Sequence, residues 1–94
     1  MAAIGLLEVE FLIPAATSLK DKRRVVKSLK DRVRNSYNVS IAEVEYADVP
    51  GRCHLAVVTI CEARSEAQHR LESVERLILA ETVIAVTDRQ LTWL

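Results

Sequence analysis

Residues 18 to 46, SLKDKRRVVKSLKDRVRNSYNVSIAEVEY, run a helical pattern directly into a strand pattern, and this switch of period limits the folds open to the chain. At about 100° per residue, Leu19, Val26, Leu29, Val33 and Tyr37 share one stripe, the docking face of an amphipathic helix. Ser18 suits the N-cap, and Asp21 suits the positive end of the helix dipole. From residue 39 the period becomes two, the mark of a strand with unlike faces. Stripe and strand face must both be buried against something else in the chain.

The flanking segments supply it. Residues 3–13 (AIGLLEVEFLI) alternate, with Gly5, Leu7, Val9, Phe11 and Ile13 on one side and Ile4, Leu6, Glu8, Glu10 and Leu12 on the other; Pro14 ends that strand. In residues 39–48 the alternation predicts Ala42, Val44 and Tyr46 facing the core, with Ile41, Glu43 and Glu45 turned outward. Val49-Pro50-Gly51-Arg52 carries the residues of a type II turn and leads into residues 53–62 (CHLAVVTICE), apolar on both faces and so an interior strand. Ser65-Glu66-Ala67-Gln68 has a capping-box pattern. The helix it opens buries Ala67, Leu71, Val74 and Ile78 and shows Glu66/Arg70 and Glu72/Arg76 as i,i+4 pairs on its wet side. A β-branched strand over residues 82–92 closes the series.

The order β-α-β-β-α-β predicts an α+β fold, a ferredoxin-like two-layer sandwich. Right-handed crossovers place both helices on one face of a four-stranded antiparallel sheet whose first and third strands are central. With 94 residues the chain makes a single domain, residues 1–94, around one core. One Phe, two Tyr and one Trp leave that core mainly aliphatic.

Thirteen cationic residues balance thirteen acidic ones, so net charge identifies no partner, but the distribution is uneven. Between Leu19 and Arg34, eight cations face two acids, a local +6 that leaves −6 on the rest of the molecule. Lys20, Arg23, Lys27, Lys30 and Arg34 follow one another at spacings of three and four, a ridge suited to a line of phosphates and the candidate nucleic-acid-binding residues. Lys22 falls at the edge of the buried stripe, where it must snorkel or find a carboxylate. On the uncovered sheet face, Ile4, Leu6, Leu12 and Ile41 are the candidate partner interface, which favours a homodimer. That face lacks the aromatic pair of an RNA-recognition sheet, so a nucleic acid is expected on the helix side.

No catalytic constellation stands out. Gly5 and Gly51 are the only glycines, so there is no phosphate-cradling loop. Cys53 and Cys61 lie about 26 Å apart along one strand, too far for a disulfide, and read as core thiols suited to a reducing cytoplasm. His54 and His69 fall on different elements, and nothing converges on Glu8 and Glu10, so neither a metal nor another cofactor is expected, and no small-molecule substrate is identified. Glu8 and Glu10 interrupt the N-terminal apolar stretch, which argues against a signal peptide, and no stretch reaches the length of a membrane span. The expectation is a non-enzymatic cytoplasmic protein without a membrane partner.

The segment SLKDKRRVVKSLKDRVRNSYNVSIAEVEY resembles the YlxP-like family of small bacterial proteins of unknown function, and the similarity extends from GLLEVEFLIP to the last strand. SLKDKRRVVKSL carries it most specifically, and CHLAVVTICEARSEAQHR follows the family less closely. The resemblance implies a ferredoxin-like fold and no catalytic residues. It also implies a link to ribosomal RNA or the ribosome, because the family's genes often lie beside those for translation initiation and ribosome maturation factors. Two functional expectations result: an RNA- or ribosome-associated accessory factor working through the basic helix, or an interaction and dimerisation module working through the open sheet face.

Overall fold

The alternation in residues 3–13 builds the strand on which everything else is stacked. In the computed structural model, which describes all 94 residues, the elements are β1 (Ala3–Leu12), α1 (Leu19–Ser36), β2 (Ser40–Glu45), β3 (Arg52–Cys61), α2 (Arg64–Leu79) and β4 (Ala85–Trp93). The strands form one antiparallel sheet in the order β2-β3-β1-β4, so the two most apolar strands are central, as expected. Register pairs Leu7 with Val57, Val9 with Leu55 and Phe11 with Cys53. These side chains share a core with Val26, Leu29 and Val33 of α1 and Leu71, Val74 and Ile78 of α2, so both helices cover the same face. At Gly5 the fit is tight: an added Cβ would lie 2.7 Å from Leu71 Cδ1 and 3.1 Å from the Trp93 ring, so α2 rests on the bare backbone of β1 there.

Local signals went astray at two junctions. Gly51 does not take the positive φ of a type II turn; the left-handed residue is Tyr46 (φ 65°). Two successive turns, closed by Val49 N–H on Tyr46 O (3.0 Å) and Arg52 N–H on Val49 O (3.5 Å), join β2 to β3. Ser65 lies inside the first turn of α2; Ala63 is the N-cap and offers no side-chain hydrogen bond. Glu66 still pairs with Arg70 (3.7 Å), but Arg76 donates to Ser73 Oγ (3.0 Å). No helix is long and apolar enough to cross a membrane.

The larger correction concerns β2, which faces the opposite way from its alternation reading. Ile41 is 4% exposed, opposite Val57 in the core, so it is not part of a partner surface, while Ala42 and Val44 are exposed. The side with the glutamates looked wet because the neutralising cation comes from another element. Lys22 of α1, 1% exposed, brings Nζ to 2.7 Å from Glu43 Oε2, a close ion pair lying off the hydrogen-bond axis, and donates to Tyr46 O. The same carbonyl accepts Val49 N–H, so two donors hold the left-handed Tyr46, a conformation costing on the order of 1–3 kcal/mol. A register shift between Glu43 and Glu45 then returns Glu45 to the open face opposite His54.

A buried pair of this kind is costly to break and cheap to replace. Lys22→Met or Glu43→Leu alone should lower unfolding free energy by about 3–5 kcal/mol in urea titrations, and the double variant should recover most of the loss. Single variants within about 0.5 kcal/mol of wild type would show that the pair does not hold α1 to β2.

Candidate nucleic-acid interface

The helix that carries the ridge is fixed at both ends. Ser18 Oγ accepts Asp21 N–H (3.1 Å) at its start, and Tyr37 N–H reaches Val33 O (2.9 Å) at its finish. Val26, Leu29 and Val33 anchor its apolar stripe in the core. Its basic flank therefore emerges beside β2. There Arg23, Lys27, Lys30 and Arg34 line one open depression of about 380 Å³, with Asp31 and Glu43 completing its wall and Val26 its one apolar lining residue. Lys20, the fifth ridge residue, is exposed and lies outside it.

Part of this charge is already engaged. Lys27 Nζ lies 2.8 Å from Asp31 Oδ2. Arg34 Nη2 donates to Ile41 O (3.1 Å) on the β2 edge, and its Nη1 lies 3.9 Å from Asp31 Oδ1. Lys20, Arg23 and Lys30 form no ion pair within the molecule. The hydrogen bond from Lys27 holds the Asp31 carboxyl below the usual carboxylate range, with the charges of Lys27, Arg34 and Lys30 adding to it. Asp31 is thus the anion these cations now share. Round the helix, Arg32 pairs with Glu81 (2.6 Å) and ties α1 to the segment after α2.

Behind the groove lies Cys53. Burial above all, and then the Glu43 carboxylate, push its thiol up to about 12 from an ordinary 9.0. At neutral pH it is a protonated core residue, and Cys61 is likewise buried and free. Because the folded value lies above the unfolded one, the associated stability is complete below pH 9.0 and falls away as pH rises toward about 12. In a Cys61→Ala background, Cys53 should label with a thiol reagent at pH 8 only as fast as the protein unfolds. Rapid native-state labelling would contradict this environment.

The open sheet face has two ends of different character. Ile4 pairs with Ile60 and Leu6 with Val58, an apolar end at which Ile60 is 60% exposed. Leu12 sits at the opposite end beside Arg52, so the three candidate interface residues left after Ile41 do not form one patch. Around that second end Glu8, Glu10 and Glu45 converge on His54, a grouping the sequence reading missed. Arg52 Nη2 lies 3.4 Å from Glu10 Oε2 and its guanidinium stacks 4.2 Å from the Tyr46 ring centroid. The Tyr46 hydroxyl is raised above its usual range chiefly by its hydrogen bond to Glu10. His69 stands apart, exposed on α2.

Sheet order, the placement of both helices and the cationic groove on α1 define a ferredoxin-like α+β protein with chemically opposed faces. Residues 4–91 match the family described as "Protein of unknown function (DUF503)", and the chain belongs to that family. It is 34% identical over 90 residues to the uncharacterized protein YlxP of Bacillus subtilis (strain 168), a match covering 96% of this chain and 98% of that one. The YlxP-like resemblance is thereby borne out. Among solved structures the fold is similar to the de novo designed protein LFR1 1 with ferredoxin fold, at TM-score 0.54 and 17% identity over 94% of this chain and 83% of that one. A weaker likeness, at TM-score 0.49 and 18% identity over 99% of this chain and 49% of that one, is to a C-terminal segment of the alpha subunit of aIF2 from Pyrococcus abyssi.

Proposed function

We propose that the protein is a non-catalytic RNA-binding accessory factor of the ribosome that holds single-stranded phosphate backbone in the α1 groove. The observation that carries this reading is the gathering of Arg23, Lys27, Lys30 and Arg34 around one depression. Residues three and four apart on a helix lie about 5–6 Å from one another at Cβ, so the groove offers cations in a row that a flexible strand can follow. The groove has no aromatic side chain for base stacking, so recognition rests on the backbone and is tolerant of sequence. An incoming phosphate replaces Asp31 as the partner of Lys27 and Arg34, while Arg23 and Lys30 meet it with unpaired charge.

Binding driven by counterion release weakens steeply with salt. Three phosphate contacts on a single strand give a slope near −2 in a plot of log affinity against log salt, or roughly a 20-fold loss between about 50 and 200 mM. Titration of fluorescent ribosomal RNA fragments should show this loss, at least a further tenfold weakening in Lys27→Glu/Arg34→Glu, and tighter binding in Asp31→Asn. Affinity that is indifferent to salt or to the double reversal would contradict the reading.

A second reading, association of two copies through the open sheet, is favoured by the apolar end at Ile4, Leu6, Val58 and Ile60, where Ile60 is exposed and the other three are half-buried. It stays secondary because the other end of that face is lined with carboxylates, whose burial between two copies would be opposed by like charge.

A further inference from the structure

Three adjacent strands present one metal-ligand side chain each in a single row on the open face. Glu10 of β1 and Glu45 of β2 both lie directly opposite His54 of β3. One ligand atom from each lies within 4.8 Å of the other two. The register shift in β2 makes the row possible, since regular alternation would keep Glu45 on the helix side with Glu43.

His54 is hemmed in. Its side chain is 19% exposed, Nδ1 lies 3.3 Å from Glu45 Oε2, and Nε2 lies 3.2 Å from Glu8 Oε1. Nε2 itself is buried and, with Glu8 out of line, has no hydrogen-bond partner. A neutral imidazole has one N–H and one lone pair, so only one of the two carboxylates can accept from it, and a positive ion between the other carboxylate and its ring nitrogen, a proton or a metal, resolves the contact. The charges agree. Glu8, Glu10 and Glu45 against Arg52 leave two negative charges, which one divalent ion neutralises.

We propose that His54 Nδ1, Glu10 and Glu45 bind one divalent transition-metal ion of the Zn2+ type, with Glu8 as the positioning residue that accepts the His54 Nε2–H. One imidazole and two carboxylates form a three-ligand set that leaves a fourth position for water. A carboxylate on the far nitrogen of a metal-bound histidine fixes its tautomer and orientation. Ligand atoms around a tetrahedral ion stand about 3.4 Å apart, a spacing that His54 Nδ1 and Glu45 Oε2 already have, so the remaining closure of roughly 1 Å falls on Glu10. Arg52 and the Tyr46 hydroxyl now hold Glu10; the stacking of Arg52 on the Tyr46 ring lets the guanidinium leave the carboxylate while keeping a place on the surface, and Tyr46 keeps its hydrogen bond to the oxygen turned away from the ion. Cys53 is excluded as a ligand because it points to the core, opposite Phe11.

The test is calorimetric titration of metal-free protein with ZnCl2. One ion should bind per chain; His54→Gln and Glu45→Gln should each weaken binding at least tenfold, Glu8→Gln by about 10–100-fold, and His69→Gln not at all. Nitrogen-15 spectra of the Zn2+-loaded wild type should show His54 metal-bound at Nδ1 and protonated at Nε2, and Glu8→Gln should disturb that state. In the unsubstituted protein, substoichiometric Mn2+ should broaden amides around Glu10, Glu45 and His54 first. Absence of stoichiometric binding, indifference to His54→Gln, loss with His69→Gln, or broadening centred elsewhere would each overturn the proposal.

Discussion

The contact of Lys22 with Glu43 and the Tyr46 carbonyl decides how β2 sits, and much else depends on that strand. A lysine buried to 1% exposure needs polar partners within reach, and the placement of β2 under α1 provides a carboxylate and a carbonyl. That placement turns Ile41 into the core, holds the left-handed bend at Tyr46, and puts the β2 edge where Ile41 O can accept from Arg34. Desolvation offsets most of the attraction in such a pair, so it adds little net stability even though either charge left alone there would be costly. The register shift beyond Glu43 then separates two glutamates of one strand, one beneath α1 and one on the open sheet.

Two oppositely charged faces follow from this. Cations collect where α1 meets β2, and carboxylates collect around His54 on the other side of the sheet. A molecule with 13 cationic and 13 acidic residues is therefore strongly polarised, and an approaching polyanion is drawn to α1 and repelled from the sheet. The groove also contains its own competitor, Asp31, whose lowered pKa reflects the cations it shares. On the proposed reading, affinity there is a contest between an internal carboxylate and an external phosphate.

Much of the fold was legible because its signals are local. The spacing of Val26, Leu29 and Val33, the alternation through Leu7, Val9 and Phe11, and the order of the elements each follow from neighbouring residues. The face of β2 was not, because each side offered some apolar side chains, and the choice turned on Lys22, distant in sequence, neutralising Glu43. Pro50-Gly51 misled because Tyr46 took the positive φ, and Ser65 misled because the cap of α2 falls two residues earlier, at Ala63. For the candidate site, helical spacing gave the ridge but not which four residues share a groove, since that depends on β2 packing alongside. The row at His54 was hidden for a similar reason: Glu45 reaches it only through the register shift, although the β2–β3 hairpin already hinted that the two strands were partners.

The central claim is that the α1 groove, and not the open sheet, is the surface that meets RNA. Amide chemical-shift mapping of the protein with a short single-stranded RNA at low salt tests it most directly. The account predicts shifts that follow residues 20–34 and the adjoining edge of β2 while Ile4, Leu6, Val58 and Ile60 stay still. Shifts confined to those four residues and their strands would contradict it and would place the working surface on the sheet.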